Sequence, residues 1–253
     1  MINNNEYSKE TILEVCVDSV ESAVNAERGG ADRLELCSDL IVGGISPSLS
    51  LFELVREKVN IPVHVLLRPR FGDFLYSKEE LEILIRQAKL FHKAGADNLV
   101  IGCLTKEGRL DMDFNARIIE ASGTTPVNLH RAFDMCRDMD EALEDAKHLG
   151  IVSILTSGGC SSALKGLDTL NRLKQNSGNI DIMAGAGITP DSIRYMKEHS
   201  CLTAFHMSGK KVLKSQMEYR NPKVNMGLPS LSEYEIWQTD ESTIRQAKDI
   251  LTK

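Results

Sequence analysis

Two short echoes, Glu14-Val15-Cys16 and Glu35-Leu36-Cys37, carry the residues best suited to chemistry in this chain. Each lies in an apolar run of strand length, where alternate side chains share a face, so each glutamate points the same way as its cysteine. If the two runs are neighbouring strands of a parallel sheet, two carboxylates and two thiols meet at one spot. Close carboxylates cannot both ionise, which raises one pKa and suits Glu14 and Glu35 to act as general acid and base. The competing reading makes each of them half of an internal ion pair with Arg68 or a histidine. Paired soft thiolates select Cu(I), which tolerates two ligands, so Cys16 and Cys37 are the metal candidates. The plainer reading is that both are small buried hydrophobes.

Other reactive types stand where apolar runs end. Arg68-Pro69-Arg70 closes one run with two cations, a guanidinium pair suited to a carboxylate or phosphate. Asp73 follows closely. His130 and His206 would carry protons near neutral pH. Arg131 and Ser157 occupy similar strand-end positions, and Gly185-Ala186-Gly187 runs into a helix start at Thr189, where backbone amides can cradle an anion.

These positions need a scaffold that brings strand ends together. Eight apolar runs bounded by turn signals read as strands: 12–17, 33–37, 62–68, 98–103, 127–132, 152–156, 180–184 and 203–207. Between them lie amphipathic helices with recognisable starts: Asp18 with Glu21, Ser46 with Pro47, Ser77 with Glu80, and Thr189 with Pro190. A helix, glycine, strand order recurs at Gly29-Gly30, Gly95 and Gly150. Eight such βα units over 253 residues predict one (β/α)8 TIM barrel spanning residues 1–253, with an open doubly wound sheet as the alternative. Residues 1–10 read as a flexible amino terminus. Residues 209–240, which hold Trp237, the sole tryptophan, read as an elaborated loop before a last helix over 240–251. In a barrel of this kind the candidates above all reach the carboxyl end of the strands.

Composition narrows the partners. A hydrophobic content of 42% with 26% charged residues is enough for a full soluble core. The net charge of −6 argues against nucleic acid and anionic membranes as partners, so an anionic ligand would need a local basic cluster. No run approaches a membrane span, and the amino terminus lacks a leader pattern. The six cysteines are scattered with no Cys-x-x-Cys pair, which predicts free thiols in a reducing cytosol.

Taken together, these stretches closely resemble the copper homeostasis CutC family. The matching residues are Leu13 to Asp18 with Glu21-Ser22-Ala23, Gly29 to Cys37, Gly43-Gly44 with Pro47-Ser48, and Pro62 to His64 with Arg68-Pro69-Arg70. Gly72-Asp73-Phe74, His130 to Asp134, Leu155 to Gly158 and His206 complete the match. The resemblance covers nearly the whole chain and implies a (β/α)8 barrel, a cytoplasmic location, a homo-oligomer, and copper held at Cys16 and Cys37. Two departures stand out: Phe71 where the family usually has glycine, and Ala184-Gly185-Ala186-Gly187 in place of proline and three glycines. Ala186 is expected to narrow the loop after the seventh strand.

The residues thus support two readings: a cytosolic Cu(I)-binding protein, and a barrel enzyme of unknown reaction acting on a small anion. In the second, Arg68 and Arg70 clamp the substrate while Glu14, Glu35, His130 and His206 move protons.

Overall fold

Three helices end alike, and the ending launches the next strand. After α1 (Val20–Arg28), α3 (Lys78–Lys93) and α5 (Met139–His148), a glycine takes the left-handed conformation, at φ +92° for Gly30, +83° for Gly95 and +72° for Gly150. The amides of Ala31, Ala96 and Ile151 then reach back to the carbonyls of Ala26, Phe91 and Ala146 at 3.0–3.1 Å. Such closures satisfy carbonyls that the helix leaves open. After two of these closures an aspartate stitches the strands at their base. Asp32 accepts the amide of Leu13 at 2.7 Å, and Asp97 accepts that of Val63 at 2.8 Å.

The computed structural model describes residues 11–226 and 231–253; the amino-terminal stretch 1–10 lies outside them. Eight parallel strands close into a barrel in chain order: β1 (Ile12–Val17), β2 (Arg33–Leu36), β3 (Val63–Leu66), β4 (Asn98–Ile101), β5 (Val127–Leu129), β6 (Ser153–Thr156), β7 (Asp181–Ala184) and β8 (Ala204–Met207). The remaining helices are α2 (Leu49–Lys58), α4 (Met112–Ala121), α6 (Leu167–Asn176), α7 (Pro190–His199) and α8 (Glu241–Thr252). Outward strand residues such as Leu13, Val15, Leu34, Val65 and Ile101 join the helices in one large apolar core. The lumen is different: two small apolar clusters, around Leu66 and Val100 and around Leu155 and Met183, flank buried polar and charged side chains.

Local starts differ from the sequence reading in two places. The amino cap of α1 is Ser19, which accepts the Ser22 amide at 3.2 Å; Asp18 sits one residue early and instead accepts the amide of Leu40 at 3.3 Å. The cap of α2 is Ser48, because the Ser46 hydroxyl is occupied by the backbone amide of Arg68 at 2.9 Å and its carbonyl at 3.1 Å. The expected Ser77/Glu80 capping box and the Thr189/Pro190 start are present.

The stretch read as a loop after β8 forms two antiparallel strands, β9 (Lys210–Lys214) and β10 (Glu235–Thr239). Lys210 rests its ammonium 3.1 Å from the centre of the Trp237 ring, an attraction between cation and π face that a polar, tryptophan-bearing sequence does not announce. Among the described residues no helix is long and apolar enough to cross a membrane.

Gly95 isolates the backbone requirement, because a Cβ placed there would meet nothing within 4 Å. Gly95→Ala should therefore cost about 1 kcal/mol from the left-handed φ alone, read as a lower urea midpoint with an unchanged slope. An unaltered midpoint would refute this account of the helix ending.

Candidate functional site

Strand stagger decides which residues meet. The echoes are 21 residues apart in sequence, but β1 and β2 pair with an offset of 19, placing Glu14 opposite Arg33 and Cys16 opposite Glu35. The expected in-register meeting of like with like is thus corrected by two residues. The reason is general: strands closing into a barrel tilt and must shear past one another. Both strands are neighbours with these groups turned inward. On its other side Glu14 faces His206, and Glu35 faces His64 on β3.

Glu14 is 1% exposed and fully engaged. Its Oε2 accepts from Arg33 Nε at 2.6 Å and lies 3.1 Å from His64 Nδ1; its Oε1 lies 2.8 Å from His206 Nδ1. Burial favours the neutral acid, but Arg33, His206 and His64 together hold its pKa well below the ordinary carboxylate value. Glu35 has the opposite balance. Burial raises its pKa, and the charge of Glu14 adds to this while His206 opposes it; its Oε1 is buried without a partner. Between the two acids sits His206, whose Nε2 is 3.7 Å from Glu35 Oε2. Burial works against its imidazolium. The nearby sulfur of Cys16, the carboxylate of Glu35 and the hydrogen bond to Glu14 outweigh that and hold its pKa well above the usual value.

Oxygens of Glu14 and Glu35 and a nitrogen of His206 lie within 4.8 Å of one another. That spacing suits a hard cation, but Glu14 already spends both oxygens on Arg33, His64 and His206, so the group works as an ion-pair network. Arg33 and His64, which complete it, are missed by the sequence reading, since inside a strand they look like interruptions of an apolar run.

Above this network opens a cavity of about 640 Å³ at the carboxyl ends of the strands. Cys16, Glu35, Cys37, Arg68, His130, Arg131, Gly187, His206 and Lys210 line it. Both cysteines are buried free thiols. Burial pushes the Cys37 thiol well up, aided by Cys16, Glu35, Asp18 and Asp39, and its sulfur lies 3.6 Å from the Val17 carbonyl.

The expected ion pair of Arg68 with Glu14 or Glu35 does not form. Arg68 instead donates to the carbonyls of Gly44 at 3.0 Å and Gly72 at 2.8 Å. Arg70 does not join it as a clamp, because it lies beyond the end of β3 at Leu66 and its side chain is held away from the mouth. Its guanidinium is held by Glu80 at 2.6 Å and Asp73 at 2.9 Å, and neither Arg70 nor Asp73 lines the cavity. Ser157 is consumed as well, its hydroxyl meeting Asp134, Cys160 and Arg131. The Gly185 amide donates to Thr156 at 2.9 Å, so it is not a free anion donor. Ala186 lines the cavity at φ +75°, a conformation costly for any residue with a Cβ.

The family model for the CutC family matches residues 11–211, which takes in every barrel strand. This chain belongs to the CutC family. It is 48% identical to the copper homeostasis protein cutC homolog of Homo sapiens, over 95% of this chain and 90% of that protein. A CutC family protein of Pasteurella multocida is 41% identical over 95% of this chain and 99% of its own length. The crystal structure of CutC from Streptococcus agalactiae superposes with a TM-score of 0.74 at 26% identity, covering 78% of this chain and 98% of that one. A thiamine phosphate pyrophosphorylase from Pyrococcus furiosus shares the fold, with a TM-score of 0.56 at 15% identity over 96% of each chain. The family model ends inside β9, so the return strand β10 with Trp237 lies outside it.

His130 was read as a proton carrier, and its surroundings oppose that. Burial and the positive charge of Arg68 draw its pKa from 6.5 down to about 3, so the folded protein keeps it neutral where the unfolded chain takes up a proton. Stability is then lost as pH falls from about 6.5 toward 3. Between pH 7 and 5 this one group should cost roughly 2 kcal/mol, and urea unfolding of His130→Gln should show that much less acid sensitivity than the parent. Equal sensitivity in both proteins would contradict the neutral assignment.

Proposed function

We propose that this protein serves copper homeostasis by holding Cu(I) through the sulfurs of Cys16 and Cys37 at the barrel mouth, as cargo. The observation that carries this reading is that two buried free thiols from adjacent strands line one cavity. Soft sulfur donors suit Cu(I), and His206 lines the cavity beside Cys16, which brings an imidazole to the same spot. The relatives' names support the role: the human and mouse proteins, at 48% and 47% identity, are both called copper homeostasis protein cutC homologs. A reducing cytosol, where thiols stay free, is the compartment this reading requires.

A second reading is favoured by features that copper does not need. The Glu14–His206–Glu35 arrangement pairs an acid held ionised with an acid whose pKa is raised, across one histidine. Such splitting of carboxylates is how active sites assign proton donor and acceptor. Under this reading the cavity receives a small anionic substrate, with Glu35 and His206 as the proton-transfer groups nearest to it.

Cys16→Ser and Cys37→Ser should each weaken Cu(I) retention by at least tenfold in competition with a chromophoric Cu(I) chelator, and the double variant should abolish it. Equal competition by parent and both single variants would remove the thiolate site while leaving the second reading standing.

A further inference from the structure

Among the described residues, two side-chain N–H groups buried at the mouth have no acceptor. Arg68, two residues beyond the end of β3, is 8% exposed and makes no ion pair with any carboxylate among the described residues. Its Nη atoms are spent on backbone carbonyls, but its Nε is buried and unpartnered. A buried cation without counter-charge is expensive, and natural structures keep such a group only where something offsets the cost.

The second donor is His130. Its Nδ1 accepts the Ala132 amide at 3.1 Å, which places the ring proton on Nε2, and that nitrogen too is buried without a partner. Both side chains bracket Phe74. The guanidinium carbon is 5.0 Å from the ring centre, and the imidazole centre is also 5.0 Å from it. Arg68, His130 and the Phe74 ring they share all line one cavity, and Lys210 lines it from β9.

Among the described residues nothing supplies an acceptor to these two N–H groups, and a copper ion would be repelled by the guanidinium. Oxyanions fit: they accept several hydrogen bonds at once and neutralise the guanidinium, and hydrogen bonds with one charged partner are roughly twice as strong as neutral ones. Neutrality of His130 is consistent with this role, since a donor that never ionises holds its proton toward the ligand.

We propose that Arg68 and His130, with Lys210 at the rim, form a binding site for the oxyanion group of a small phosphate or carboxylate ligand. The site deepens the second reading above, since it names what the cavity would grip, but it requires no reaction and no metal.

The full chain should be titrated by calorimetry with inorganic phosphate and, separately, with malonate, against sodium chloride at matched ionic strength. Saturable binding of one or both anions is expected, and whichever binds identifies the source of the oxyanion. Arg68→Gln should weaken it by about tenfold or more, Lys210→Gln by less, and Arg86→Gln, far out on helix α3, not at all. If Arg68→Gln fails to fold, the Lys210→Gln titration and the Nε–H resonance of Arg68 in 15N-arginine-labelled parent protein decide. That resonance should shift with the anion and not with chloride. Failure of both anions to bind above the chloride control, or binding equally strong in the Arg68 and Lys210 variants, would mean that these N–H groups hold water only. Because turnover is not measured and the cysteines are intact, that failure leaves both the copper reading and the acid–base reading to be judged separately.

Discussion

The carboxylate of Glu14 anchors the interior of the barrel. Arg33, His64 and His206, from three different strands, converge on its two oxygens at 2.6–3.1 Å. A lone buried carboxylate would be neutralised by protonation; three basic neighbours keep this one ionised. Its position then fixes the ring of His206, and through His206 the distances to Glu35 and Cys16. A barrel lumen is ordinarily filled by layers of branched aliphatic side chains. Here the charged network takes that place, and the apolar filling shrinks to two small clusters.

Ionisable groups are layered along the barrel axis as a result. The deep layer carries the two glutamates, while the rim carries Arg68, Arg131 and Lys210. A ligand entering the mouth meets cations first and proton-transfer groups beneath them, with the two thiols along one wall. With this order the proposed soft-metal and oxyanion sites share one cavity without sharing donors. The sulfurs stand on β1 and just beyond β2, and the N–H groups just beyond β3 and β5.

Much of this was legible in the residue order. Strand runs, glycine endings and the boxes at Ser77 and Thr189 announced the βα repeat, because each depends on local chemistry that a short window contains. The convergence of Glu14, Cys16 and His206 was also within reach, since barrel closure forces the last strand beside the first. Register was not. A two-residue shear separates Glu14 from Glu35 and hands it Arg33, and shear is a property of the whole ring. Arg70 misled for a similar reason: adjacency to Arg68 says nothing about which way the chain turns after Pro69. The Ser208-Gly209-Lys210-Lys211 stretch is legible as a strand-end candidate for phosphate, but the seat of Lys210 on Trp237, 27 residues away across a hairpin, is not.

That hairpin separates two jobs. The eight-stranded wall sets where the deep acids and thiols stand, but the lysine at the opening is perched on a tryptophan from a return strand that belongs to no barrel pairing. Lengthening, shortening or redecorating this surface appendage would retune the electrostatic gatekeeping of the entrance while the wall kept its packing. The molecule thereby holds the cation at its mouth on a part that can be exchanged independently of the vessel.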